Sequence, residues 1–249
     1  MKRMTSGCLL LELRHREISL PKHSKNMVIP RIGIGGPVGS GKTRLIERLM
    51  PILIGRRYKG CIISNDVISK EDSERMRKIL AVEGKIIEED MIIGVATGGC
   101  PHTAIREDPS INLAVIDEVT ERHPHLDFFI IESGGDNTMT TFSPALADYF
   151  IYIVDVAGGD KYPRKMGLGI QNCDLLVINK IDLAPYVGAN LSTMKRDAAR
   201  IRNGRPFELV NCKTGLGVDR VAEYIINGVL FDRKPRERKP NKSGNTKPH

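Results

Sequence analysis

Short apolar runs rich in β-branched residues recur along the chain: 31–36 (RIGIGG), 60–64 (GCIIS), 91–95 (MIIGV), 127–133 (DFFIIES), 149–156 (YFIYIVDV), 174–180 (DLLVINK) and 207–211 (FELVN). They are nearly continuous rather than alternating, as in parallel strands covered on both faces. Between them, amphipathic spacing predicts helices over 42–54, 70–81, 109–122, 191–203 and 217–229. Ser69, with Asp72 three residues on, supplies an N-terminal cap for the second of these. Strands alternating with helices predict a three-layer α/β fold, with a mostly parallel central sheet flanked by helices.

Composition adds limits to this picture. At 249 residues, 41% hydrophobic and 27% charged, the chain buries an ordinary globular core. No apolar run is long enough to cross a bilayer, and Glu12 interrupts the short N-terminal run CLLLEL, so neither a membrane span nor a signal peptide is expected. Five cysteines, at 8, 61, 100, 173 and 212, make no disulfide framework and fit a reducing cytoplasm. The net charge of +8 is concentrated at the ends: residues 1–31 and 232–249 each carry seven Lys or Arg against two acids, which leaves the middle slightly acidic. This gives no groove-shaped basic surface, and nucleic acid is not an expected partner. The expected organisation is a basic extension over 1–30, partly ordered at most, a core domain over 31–231, and a basic disordered tail over 232–249.

The first strand runs into GGPVGSGKT, which contains Gly36-x-x-x-x-Gly41-Lys42-Thr43 and opens a predicted helix. Strand, glycine loop and helix in that order make a P-loop. Its cradle is Gly36, Pro37, Val38, Gly39, Ser40, Gly41, Lys42 and Thr43: backbone N–H groups and the helix dipole face phosphate, Lys42 reaches the β- and γ-phosphates, and Thr43 is placed to ligate Mg²⁺. The fold class narrows to a P-loop NTPase.

The sixth strand ends in Asn179-Lys180-Ile181-Asp182, an N-K-x-D element. A carboxylate at Asp182 accepts from N1–H and the 2-amino group of guanine, donors that adenine lacks, so GTP is favoured over ATP. Asn179 would brace the loop and Lys180 would lie over the base. NCKTG (211–215), with Lys213, sits where GTPases close the base pocket. Two strand ends add acids near the phosphates: Asp66 and Glu71 in SNDVISKED, and Glu132 and Asp136 in IIESGGDN. The turn Glu132-Ser133-Gly134-Gly135 is similar to a D-x-x-G element with Glu for Asp, in which a glycine N–H such as that of Gly135 senses the γ-phosphate. Either acidic stretch can hold Mg²⁺ directly or through water, or cap a neighbouring element. Lys42, Asp66 and Glu132 are the candidate catalytic residues. No Gln follows the D-x-x-G-like turn and no arginine finger is evident, which predicts slow intrinsic hydrolysis.

TGGCPHT (97–103) holds Cys100 and His102 on either side of Pro101. Proline pushes Cys100 toward an extended conformation, where residues i and i+2 project to one side. The pair alone is open to an incidental reading and to a metal reading, and it is too small to hold a transition metal by itself. Two copies of the loop across a two-fold axis would supply two thiolates and two imidazoles, a set that suits Zn²⁺, Ni²⁺ or Cu²⁺. His123 and His125, in ERHPHLD, are expected to decorate a helix end and turn.

Taken in order, GPVGSGKT, NDVISKED, TGGCPHTAIREDPS, ESGGDN and LLVINKIDLAPYVGA resemble the UreG-type urease accessory GTPases over roughly 31–230. The resemblance implies a SIMIBI-class P-loop GTPase acting as a nickel metallochaperone. Cys100 and His102 from two protomers would bind one Ni²⁺ in a GTP-dependent homodimer, and Asp66 and Glu71 would belong to a switch region contacting Mg²⁺. It implies urease accessory proteins and apo-urease as partners. Ala96 stands where the family typically has Glu, which removes a carboxylate near the nucleotide–metal junction, and only His15 and His23 occupy the extension, too few to store nickel. Two alternatives remain. A hydrogenase-type nickel-insertion GTPase shares the class and the metal but not GGCPHTAIRED, and a nucleotide-gated scaffold would use the Cys-Pro-His loop to bind a partner.

Overall fold

The continuous apolar runs become seven strands of one parallel sheet. The computed structural model describes residues 28–65, 91–95, 103–135, 141–165 and 167–231. The strands are β1 (Arg31–Gly35), β2 (Gly60–Ser64), β3 (Ile92–Gly94), β4 (Phe128–Glu132), β5 (Tyr149–Asp155), β6 (Leu175–Asn179) and β7 (Phe207–Leu209). Their order is β3-β2-β4-β1-β5-β6-β7, and every pairing is parallel. The helices are α1 (Lys42–Gly55), α2 (Ser110–Arg122), α3 (Leu168–Asn172), α4 (Leu191–Arg202) and α5 (Val218–Gly228). The predicted helix 70–81 with its Ser69 cap, and the terminal segments 1–27 and 232–249, lie outside the described residues.

Successive strand residues point to opposite faces, so the sheet feeds two cores. Ile32, Ile34, Ile62, Phe128, Ile130, Ile151, Ile153 and Val177 pack with Leu45, Ile46 and Leu49 of α1 and Val221 and Ile225 of α5. Cys61, Ile63, Phe129, Ile131, Tyr152, Val154 and Ile178 pack with Ile116 and Val119 of α2 and Met194 and Ala198 of α4. These are the three layers expected from the sequence. The first core is closed tightly where Gly60 faces Phe128: a Cβ there would fall 2.2 Å from the ring.

Two elements of five residues each have no counterpart in the sequence pattern. One is α3, five residues held by the buried Arg202, whose guanidinium donates to the carbonyls of Ile170 (2.7 Å), Cys173 (3.0 Å) and Asp174 (2.9 Å). The other is a wide π-type turn over Thr103–Glu107, closed by Asp108 N–H donating to Thr103 O at 2.8 Å. The run 207–211 is strand only to Leu209, because Asn211 turns away to bridge Leu216. In α4 the side chain of Asn190 caps the start by accepting from Thr193 N, and Asn203, at φ 48°, ends it.

Candidate nucleotide site

β1 is the strand at which the chain's path across the sheet reverses, with β2 placed to one side and β5 to the other. In open parallel sheets such a switch point, at the carboxyl ends of the strands, is where ligands sit. The loop 36–41 leaves β1 there. A Cβ on Gly36 would fall 2.1 Å from the Ile153 carbonyl, and one on Gly41 would fall 2.4 Å from Asn179 Nδ2. Gly41 is also left-handed, at φ 100°, and starts α1 without a side-chain cap. The first N–H groups of that helix are therefore left for another acceptor. Lys42 is buried, and its Nζ donates to the carbonyls of Gly36 (3.0 Å) and Pro37 (3.2 Å), which folds the ammonium over the loop. Ser40 Oγ is buried with no hydrogen-bond partner among the described residues. A buried orphan hydroxyl in a glycine loop fits a polar ligand that completes it.

Beside the loop, Glu132 closes the end of β4 and is buried. Thr43 Oγ1 donates to its Oε1 at 2.6 Å and Ser64 Oγ to its Oε2 at 3.1 Å. A hydroxyl and a carboxylate in contact at the head of a phosphate loop are hard oxygen donors suited to Mg²⁺. The turn that follows lies against the loop tip: a Cβ on Gly135 would fall 2.7 Å from Val38 Cγ2, and Val38 itself is 77% exposed. Asp66, Glu71, Ala96, Cys100, His102 and Asp136 lie outside the described residues.

At the far end of the site, Asn179 joins two loops. Its Nδ2 donates to Ser40 O at 2.9 Å and its Oδ1 accepts from Cys212 N at 3.0 Å. Lys180, left-handed at φ 58°, places Nζ 2.7 Å from Asp155 Oδ2, and Asp182 stands exposed in the short helical turn Ile181–Leu183. In the 211–215 loop, Asn211 Oδ1 accepts from Lys213 N (2.9 Å) and Thr214 N (3.3 Å). Arg48 of α1 clamps that loop by donating to the carbonyls of Cys212 (3.2 Å) and Lys213 (2.6 Å).

The P-loop residues, Glu132, Gly135, Asn179, Lys180, Asp182 and Lys213 thus gather along one edge of the sheet. Reading by motif missed Ser64, Arg48 and Asp155. Asp155 and Ser64 end strands as Glu132 and Asn179 do, and that shared position was the available signal. Arg48 gave none, being one basic residue among several on a helix.

Cys61, Cys173 and Cys212 are buried and in no disulfide. Burial pushes Cys212 up to about 12 and Cys173 up to about 11, so both stay protonated and are poor metal ligands near neutrality. Among the described residues no group of three or more His, Cys, Asp or Glu is placed to hold a metal, and no helix is long and apolar enough to cross a membrane. His123 follows the last turn of α2, donating its N–H to Val119 O, and His125 lies in the next turn, as the sequence suggested.

Parallel sheet, switch point and phosphate loop define a P-loop nucleotide-binding protein. The family profile for the CobW/HypB/UreG nucleotide-binding domain matches residues 30–208. The urease accessory protein UreG of Cenarchaeum symbiosum is 63% identical over 207 residues, covering 83% of this chain and 96% of that protein. The UreG of Yersinia pestis is 53% identical over 210 residues, covering 84% and 94%. Among solved structures, the hydrogenase maturation factor HypB of Archaeoglobus fulgidus superposes with a TM-score of 0.64 at 30% identity, covering 81% of this chain and 90% of that one. HypB of Helicobacter pylori, solved in complex with nickel, has a TM-score of 0.65 at 20% identity, covers 86% and 93%, and shares the fold. The chain belongs to the CobW/HypB/UreG family, as a P-loop GTPase of the UreG type.

Proposed function

We propose that this chain is a GTP-hydrolysing nickel metallochaperone that serves urease maturation from the cytoplasm, with residues 31–231 as its working domain. The observation that carries the reading is the Thr43–Glu132 contact at 2.6 Å beside Lys42, a phosphate loop with its acidic wall already assembled. Identity of 63% across nearly the whole of a urease accessory protein UreG supports urease as the destination.

In this reading Lys42 exchanges the Gly36 and Pro37 carbonyls for the β- and γ-phosphates, and Ser40 Oγ gains a partner. Thr43, with Glu132, Asp66 and Glu71, holds Mg²⁺, which neutralises charge on the transferring phosphoryl group. Gly135 reads the γ-phosphate. Asp182 accepts from the guanine edge, while Lys180, held by Asp155, and Lys213 enclose the base. Without an evident finger or water-orienting Gln, turnover is slow. Nickel is the cargo: Cys100 and His102 from two copies form one S₂N₂ site in the GTP-bound homodimer, a set that also accepts Zn²⁺. Hydrolysis separates the copies and releases the metal to apo-urease among its accessory proteins. With Ala96 in place of the family's Glu, coupling between nucleotide and metal runs without a carboxylate at that position.

Reconstitution tests this reading. Purified apo-urease, its accessory proteins, Ni²⁺ and GTP should yield active urease with the wild type and not with Lys42→Ala. No activation by the wild type, or full activation by the variant, refutes the assignment.

A further inference from the structure

A pair of buried carboxamides links the acidic wall of the phosphate site to the turn that follows residues 96–102. Asn65 directly follows β2 and Asn112 lies in the first turn of α2; both are essentially solvent-free. Each donates to the other, Asn65 Nδ2 to Asn112 Oδ1 at 3.1 Å and Asn112 Nδ2 to Asn65 Oδ1 at 2.8 Å. Their remaining N–H bonds point outward to opposite clients. Asn65 Nδ2 donates to the main-chain carbonyl of Glu132 at 3.2 Å, where Asn65 N also donates at 3.0 Å. Asn112 Nδ2 donates to the carbonyl of Ala104, inside the Thr103–Glu107 turn, at 2.8 Å.

A second arm runs in parallel. Ser64 donates its hydroxyl to the Glu132 carboxylate, and its carbonyl accepts from Val95 N at 2.8 Å. Val95 and Thr103, the described residues that bracket 96–102, thus both stand next to groups tied to Glu132. Two apolar side chains would fill the same space without demanding one geometry. A reciprocal amide pair has one fully bonded arrangement, and its outward N–H groups fix the spacing between Glu132 and Ala104.

We propose that Asn65 and Asn112 are positioning residues that carry the nucleotide-dependent placement of Glu132 to the Thr103–Glu107 turn. Through that turn they set the base of the segment bearing Cys100 and His102. The inference rests on the proposed function at both ends, on the cation at Thr43 and on the metal at Cys100 and His102. When the Thr43 hydroxyl turns from the Glu132 carboxylate to a cation, the change has to reach the amide pair through the Glu132 main chain, whose carbonyl Asn65 holds, and the pair then passes it to Ala104. Coupling of this kind requires a physical element that both sites bias, and in this proposal the amide pair moves as one unit with the turn it holds.

The test is amide hydrogen exchange of residues 103–107, with Mg²⁺ and either GDP or a non-hydrolysable GTP analogue, and no nickel. The wild type should show a difference of about fivefold or more between the two nucleotides. The double variant Asn65→Leu/Asn112→Leu replaces both partners with apolar groups of similar size, so the fold tolerates it better than loss of one partner. It should bind both nucleotides as the wild type does while the exchange difference disappears, and Asn112→Ala should behave alike. An exchange difference absent from the wild type, or retained in a variant that binds nucleotide normally, overturns the proposal. Cys100→Ala should leave the difference intact, so failure of the metal reading and failure of the relay are read separately.

Discussion

The contact between Gly41 and Asn179 makes a quantitative prediction about how the phosphate loop is held. Gly41→Ala adds a Cβ 2.4 Å from Asn179 Nδ2, closer than real Cβ contacts approach, at a residue with φ 100°. The left-handed backbone alone costs an L-residue roughly 1–2 kcal/mol. Relief of the clash requires Asn179 to move, which breaks its bonds to Ser40 O and Cys212 N and leaves buried polar groups unpaired, a further cost of about 1–3 kcal/mol. Asn179→Ala removes the same two bonds by itself and clears the space that the new Cβ needs. The double variant therefore incurs the hydrogen-bond loss once, and the two substitutions should be sub-additive by about 1–3 kcal/mol. Urea unfolding of the four proteins without nucleotide measures this coupling. Additivity to within about 0.5 kcal/mol would refute the claim that Asn179 is what Gly41 makes room for.

Other outcomes follow from the same geometry. Glu132→Gln keeps an acceptor for Thr43 but removes the charge; nucleotide affinity without Mg²⁺ should stay within about threefold, and its enhancement by Mg²⁺ should be lost, as read by nucleotide titration with and without the ion. Burial raises Cys212 from an ordinary 9.0 to about 12, so above pH 9 the unfolded chain releases a proton that the folded chain retains. That thiol's contribution is complete below pH 9 and is lost as pH rises toward 12, with a slope of about 1.4 kcal/mol per pH unit. Unfolding curves across pH 9–11 should accordingly be flatter for Cys212→Ala than for the wild type, and equal slopes would contradict the linkage.

The layers and the strands were legible because strands buried on both faces must be apolar at nearly every position, and β2, β4, β5 and β6 are. The ends of α4 were legible to within one residue from amphipathic spacing, and the one-residue difference is Asn203, which takes the left-handed cap position. The α3 helix and the Thr103–Glu107 turn were not: each is five residues long, too short for a period, and each is held by a distant side chain, Arg202 in one case and Asn112 in the other. The site divides the same way. Glycine spacing exposes the phosphate loop, and an N-K-x-D at a strand end exposes the base-reading loop, because both are local. Ser64 and Arg48 act on groups 68 and 165 residues away, and only the sheet order brings those groups together.

The central claim, that nucleotide state governs a metal site shared between two copies, is tested most directly by titrating Ni²⁺ into the wild type and Cys100→Ala. Each is titrated with a GTP analogue or with GDP while molecular mass is followed. The account predicts one nickel per two chains and a dimer in the GTP-like state of the wild type, with neither in GDP nor in the variant. Nickel binding that is the same in Cys100→Ala, or that ignores the nucleotide, would contradict it.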